Sequence, residues 1–180
     1  MAVDNKVIEF LSRHLFSEEG MNVYAVLDGA SVPNLRLKLY DIEPEHECLY
    51  RGELDPDMAE VAPYLIKLGL GEEFTRWVMG EGWGKHWGIF VASMADLRTL
   101  RTHFRRFLMV HDNDGKPMYF RYYDPRVLRV YLPTCNAEEL KTVFGPVRMY
   151  LVEDEGQKSG RKFVYTGNSM REDRFTLEGG

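Results

Sequence analysis

The stretch 86–108, HWGIFVASMADLRTLRTHFRRFL, decides the fold class. Its first part, His86 to Ala92, has the aromatic and β-branched content of a strand. After Ser93 the period changes: Leu97, Leu100, Phe104, Phe107 and Leu108 form one apolar stripe of a long amphipathic helix. Ser93 is the expected N-cap, with Asp96 at the third helical position as an acidic variant of the capping box. Beside the stripe, Arg98, Arg101 and Arg105 fall within about 60° of arc at 100° per residue, so they make a basic flank. A strand feeding such a helix points to a mixed α/β domain.

Toward the N-terminus the pattern repeats. Val7, Ile8, Leu11 and Leu15 give a first amphipathic helix over Val3 to Phe16, with Gly20 beyond its polar stop. Val23 to Leu27 is a short apolar strand that ends at Asp28 and Gly29. The partial alternation of Asn34 to Ile42 fits helix or strand, with a short helix capped by Asn34 the preferred reading, and Cys48 to Tyr50 reads as a short strand. Glu53 to Glu60 is a loop with one helical turn, Pro63 to Leu68 a strand, and Glu72 to Glu81 a helix broken by the glycines at 80, 82 and 84.

Toward the C-terminus, Leu108 to His111 and Met118 to Tyr123 flank Asp112, Asn113, Asp114 and Gly115, the signature of a hairpin. Asp124 before Pro125 suits an N-cap followed by proline at the first helical position, and Pro133 ends that helix. Asn136 to Phe144 reads as a helix, Val147 to Val152 as a strand, and Arg161 to Tyr165 as its hairpin partner. From Gly167 onward the polar sequence predicts a mobile tail. The expected architecture is a single α+β domain over residues 1–152, a central sheet flanked by helices, followed by a hairpin strand and tail over 153–180.

Composition narrows the function. At 44% hydrophobic and 28% charged residues, the chain of 180 is an ordinary globular one, long enough for one core. No apolar run approaches the roughly 20 residues of a membrane span, and acidic Asp4 and Glu9 near the start are unlike a signal peptide. Two cysteines, Cys48 and Cys135, lie in no metal-binding pattern, and a reduced cytoplasmic setting is expected. The net charge of −5 is uneven: residues 1–90 carry 8 basic against 16 acidic side chains, residues 91–180 carry 15 against 12. A surplus that small does not make a nucleic-acid footprint.

Catalytic and ligand patterns fail one by one. No serine is framed as GxSxG, and the five histidines show no HxxxH or HExxH spacing. Gly80, Gly82, Gly84 and Lys85 suggest a phosphate loop, yet Met79 stands where that motif needs glycine and His86 where it needs Ser or Thr. Asp112 to Gly115 resembles a calcium-loop fragment, but Val110 and Arg121 would occupy the first and twelfth ligand positions. No metal, cofactor or catalytic residue is therefore expected.

The most unusual stretch is Phe120 to Arg126, aromatic residues interleaved with charge. As chemistry, Asp124 would act as a base while Arg121 and Arg126 clamp an anion. As structure, Asp124 caps a helix, Arg121 or Arg126 pairs with it, and alternate aromatics fill the core. The structural reading is the preferred one. The enzymatic or small-ligand domain built on Arg121, Asp124 and Arg126 stays as the alternative.

Several blocks together carry a resemblance: Tyr24 to Ala30 (YAVLDGA), Leu49 to Gly52 (LYRG), Val61 to Leu65 (VAPYL), Trp87 to Ser93 (WGIFVAS), Leu97 to Arg106, Phe120 to Leu128 (FRYYDPRVL) and Phe144 to Val147 (FGPV). In order and spacing they resemble the bacterial domain-of-unknown-function family of type VI secretion adaptors and chaperones, encoded beside spike proteins and their effectors. FRYYDPRVL is the most specific block. The resemblance implies a cytoplasmic adaptor, without catalytic residues, whose partners are a secreted effector protein and the trimeric spike that carries it. Many relatives look longer beyond the shared core, whereas about 33 residues follow Val147 here. An adaptor interface of roughly 800 Å² per partner uses aromatic and arginine anchors. The candidate partner-binding residues are Arg98, Arg101, Arg105, Arg121, Tyr123, Asp124 and Arg126.

Overall fold

A computed structural model describes residues 5–156 and 158–177. It places them in one α+β domain built on a seven-stranded sheet in which every neighbouring pair is antiparallel. In chain order the elements are α1 (Asn5–Leu15), β1 (Asn22–Asp28), α2 (Leu35–Ile42), β2 (His46–Cys48), α3 (Pro56–Val61), β3 (Pro63–Leu68), α4 (Glu73–Gly82), β4 (Gly88–Ser93) and α5 (Leu97–Arg105). They continue with β5 (Met109–His111), β6 (Pro117–Tyr119), α6 (Pro125–Tyr131), α7 (Ala137–Phe144), β7 (Val147–Glu153), β8 (Ser159–Tyr165) and β9 (Met170–Thr176). The large sheet runs β2-β3-β1-β4-β7-β8-β9, and β5 and β6 form a separate hairpin.

Both faces of the sheet are covered, which explains why its strands read as continuous apolar runs. Along β1, Val23, Ala25 and Leu27 enter one core while Tyr24 and Val26 enter the other. The first core is closed by Leu11 and Leu15 of α1, Leu35 and Leu39 of α2, and Phe74 and Val78 of α4. Leu100 and Phe104 of α5, Leu128 of α6, and Leu140 and Phe144 of α7 close the second. Fully burying side chains of this size contributes roughly 1.5–3 kcal/mol each, so the two cores carry the fold. Three tyrosines buried in the second core place their hydroxyls on carbonyls: Tyr24 on Ala95 at 2.8 Å, Tyr122 on Phe104 at 3.1 Å and Tyr150 on Val143 at 2.8 Å.

Five expectations change. The strand expected over Met118 to Tyr123 stops at Tyr119, because Tyr122 and Tyr123 turn into the second core ahead of the Asp124 cap. Ser93 is not the cap of α5. It ends β4, where its hydroxyl donates to the Pro146 carbonyl at 2.6 Å and accepts from Ala95 N–H, and Asp96 is the N-cap, accepting from Thr99 N–H at 2.8 Å. Asn34 precedes α2 in the left-handed region (φ 57°) with no side-chain cap, a conformation asparagine tolerates. The second strand lies at His46–Cys48; the Leu49 N–H still donates to the Pro63 carbonyl at 2.9 Å, and beyond it the Arg105 guanidinium takes the carbonyls of Cys48 and Tyr50.

The largest correction concerns the tail. Residues 170–176 form β9, paired with β8 from Tyr165↔Met170 to Ser159↔Thr176. The strand looked like a tail because it is an edge strand, whose open side is polar as solvent-exposed edges are. Of its two large apolar side chains, Met170 packs against the second core, and Phe175 packs against Gly160 and stacks on His14 with ring centroids 4.7 Å apart. Residues 3 and 4 of the expected first helix, and 178–180 of the expected tail, lie outside the described residues.

Candidate interaction site

Strands β1 and β7 both carry a carboxylate at their C-terminal end, and both carboxylates are buried. The chain turns sharply after Asp28: a Cβ on Gly29 would stand 2.5 Å from the carbonyl oxygens of Glu60 and Ala62, so only glycine fits there. Within that turn the Asp28 carboxylate accepts from Ala30 N–H at 3.1 Å and from the Ser31 hydroxyl at 2.7 Å. Its third partner is the Arg121 guanidinium, 93 residues away in sequence. One ion pair thus joins YAVLDGA to FRYYDPRVL.

Asp124 serves as the N-cap of α6, accepting from Arg126 N–H at 2.9 Å. The Arg126 fork grips the same carboxylate through Nε at 3.0 Å and a terminal nitrogen at 2.7 Å. Burial alone raises the pKa of Asp124, but the hydrogen bonds and charge of Arg126 outweigh it and hold the carboxyl below its ordinary range. Burial, with the nearby carboxylate of Asp28, keeps the Tyr123 phenol protonated, its pKa pushed up to about 12. Arg121 lies over the Tyr123 ring, 6.0 Å from its centroid.

Sequence reasoning missed Glu153, which completes this end of the sheet. Its carboxylate accepts from the N–H groups of Gly84 (2.5 Å) and His86 (2.8 Å) and touches the His86 ring, while its carbonyl accepts from Arg129 at 3.2 Å. Burial raises the pKa of this carboxyl against the opposing pull of those donors. No local signal marks Glu153, because in sequence it looks like the first residue of a polar linker. The carboxylates therefore form the inner layer, and the guanidinium side chains of Arg121 and Arg126, 47% and 52% exposed, form the outer one. Next to them stand Tyr50 and Tyr119, rings 6.5 Å apart, and the β5–β6 hairpin with exposed Met109, Met118 and Tyr119. Such a layer offers hydrogen-bond donors and aromatic surface to another chain.

The α5 arginines are elsewhere and do not act as one flank. Arg105 holds the two carbonyls beside β2 at 2.9 and 3.0 Å, and Arg101 pairs with Glu47 at 2.8 Å. Arg98 faces the other way, into a groove of about 900 Å³ between α5 and α7. The candidate residues thus divide: Arg121, Tyr123, Asp124 and Arg126 come together, while Arg98, Arg101 and Arg105 do not join them. Among the described residues no His, Cys, Asp and Glu cluster is arranged to hold a metal ion, no helix is long and apolar enough to cross a membrane, and Cys48 and Cys135 are free thiols.

A family model described as a domain of unknown function, DUF4123, matches residues 23–142, more than half of the chain. The chain belongs to the DUF4123 family. The DUF4123 match runs from β1 into α7 and contains both partners of the Asp28–Arg121 pair, whereas β7 to β9, with Glu153, follow it. Searches of curated proteins and of solved structures find no match.

Proposed function

We propose that this DUF4123 protein is a cytoplasmic adaptor that binds a cognate effector of a type VI secretion system and helps load it onto the trimeric spike protein. The observation that carries the reading is the DUF4123 match over 23–142, since this family is linked to type VI secretion effector adaptors. The outer layer of Arg121, Arg126, Tyr50, Tyr119 and the methionines of the β5–β6 hairpin supports it, because arginine, tyrosine and adaptable methionine are the side chains that anchor protein interfaces.

A binding role is favoured over a catalytic one. Asp124 accepts three hydrogen bonds from its helix end and Arg126, and Asp28 three from its turn and Arg121, so both carboxylates are occupied in holding the fold. Co-expression with the proteins encoded beside it, followed by pull-down and mass spectrometry, tests the proposal. A stable complex with an effector or spike is the expected result. Failure of every neighbour-encoded protein to co-purify overturns it.

A further inference from the structure

Most arginines of this acidic protein are tied to carboxylates or carbonyls, but the groove between α5 and α7 collects cations that are not. Arg98 and Arg106 line one wall and Lys141 the other, and none of the three makes an ion pair among the described residues. Arg98 and Thr102 of α5 and Arg106, its C-cap in helical conformation, are spaced i, i+4, i+8, so they line one side along about 12 Å at 1.5 Å per residue. That span matches about four residues of extended chain at 3.3 Å each.

Further charge is sparse. Glu138 on α7 is the one carboxylate in the lining. His103 forms the floor, where burial foremost and the Arg106 charge lower its pKa, so the ring is neutral and bonds the Val143 carbonyl at 2.9 Å. Gly145, at φ 48°, packs its Cα on that ring: a Cβ there would come within 2.6 Å of it, so the floor stays low. Three cations that make no ion pair among the described residues, gathered along one open groove on a protein of net charge −5, form a local surface complementary to negative charge.

We propose that the α5–α7 groove binds an extended acidic segment of a partner polypeptide, with Arg98 and Arg106 reading carboxylates spaced along the segment and Lys141 closing from the opposite wall. An extended polypeptide is favoured over a compact anion because the cations are distributed along a furrow and do not converge on one point. The inference deepens the adaptor reading, on which it rests for the source of the segment.

The test is fluorescence anisotropy of the full chain with a labelled peptide of four Asp-Ala repeats at low salt. The expected result is saturable binding that the matching Asn-Ala peptide does not show and that weakens as salt rises from 50 to 200 mM. R98E/R106E should lose at least tenfold in affinity and R98Q/R106Q a smaller factor, while R13E/K116E, which reverses two charges outside the groove, stays within twofold. Thermal melts of all variants check that each is folded. The proposal is overturned by no binding at millimolar peptide, by equal losses in the two charge-reversal variants, or by an eight-nucleotide oligothymidylate that binds the groove more tightly than the peptide. Co-purification of an effector without peptide binding removes the groove proposal and leaves the adaptor reading. Peptide binding without any co-purifying neighbour does the reverse.

Discussion

Two groups of arginines make opposite use of the same side chain. At the end of the sheet Arg121 and Arg126 sit over buried carboxylates and contribute to the architecture. On α5 the three arginines are graded: Arg105 holds backbone carbonyls, Arg101 makes a partly exposed ion pair, and Arg98 makes none among the described residues. The difference teaches that a basic stripe identified by periodicity says where charges lie and nothing about whether they are available. Availability is decided by what the rest of the fold brings near.

Substitutions can break that contrast in a predictable order. Arg121→Ala leaves the Asp28 carboxylate buried without its cation. Losing one partner of a buried pair costs about 3–5 kcal/mol, and the half-exposed guanidinium reduces this to about 2 kcal/mol here. Urea unfolding should show that loss, and a change under 0.5 kcal/mol would mean the two signature blocks are held by other contacts. Arg105→Ala removes two charge-assisted bonds to carbonyls and should cost about 1.5 kcal/mol, with faster hydrogen exchange in β2.

Smaller effects sharpen the comparison. Asp124→Ala loses the α6 cap and the Arg126 fork and should cost about 1 kcal/mol near neutral pH. Because the folded-state pKa of Asp124 lies below its unfolded value of 3.8, the stability it contributes is present above that value and is lost as pH falls through the lower folded one. Unfolding series at pH 7 and in strong acid should therefore show the gap between wild type and Asp124→Ala closing. Arg98→Ala should change stability by under 0.5 kcal/mol, since no ion pair is lost. A larger loss would place Arg98 with the architectural arginines.

The sheet was legible because both its faces are buried: β1, β3, β4 and β7 read as unbroken apolar runs, and the helices show their 3.6-residue stripes. Edge strand β9 was illegible for the opposite reason, since a strand with one open side and alternating charge has the composition of a loop. At the site, the sequence singled out Arg121, Tyr123, Asp124 and Arg126 and gave the capping role of Asp124. It could not show that Asp28 is the partner of Arg121, because no periodicity links residues 93 positions apart. The DG pair within YAVLDGA was the available clue, as a carboxylate directly after a buried strand needs a partner.

The pairing of β4 with β7 has a consequence for synthesis. Phe90 meets Leu151 across that ladder, so the apolar strand GIFVAS must wait for about sixty more residues before its second edge is filled. During that interval a ribosome carries a nascent chain whose central strand is a template for any other extended segment. A chain stopped at residue 142, where the family match ends, keeps that edge permanently open. The strand that fills the second edge of β4 is thus β7, which follows the DUF4123 region.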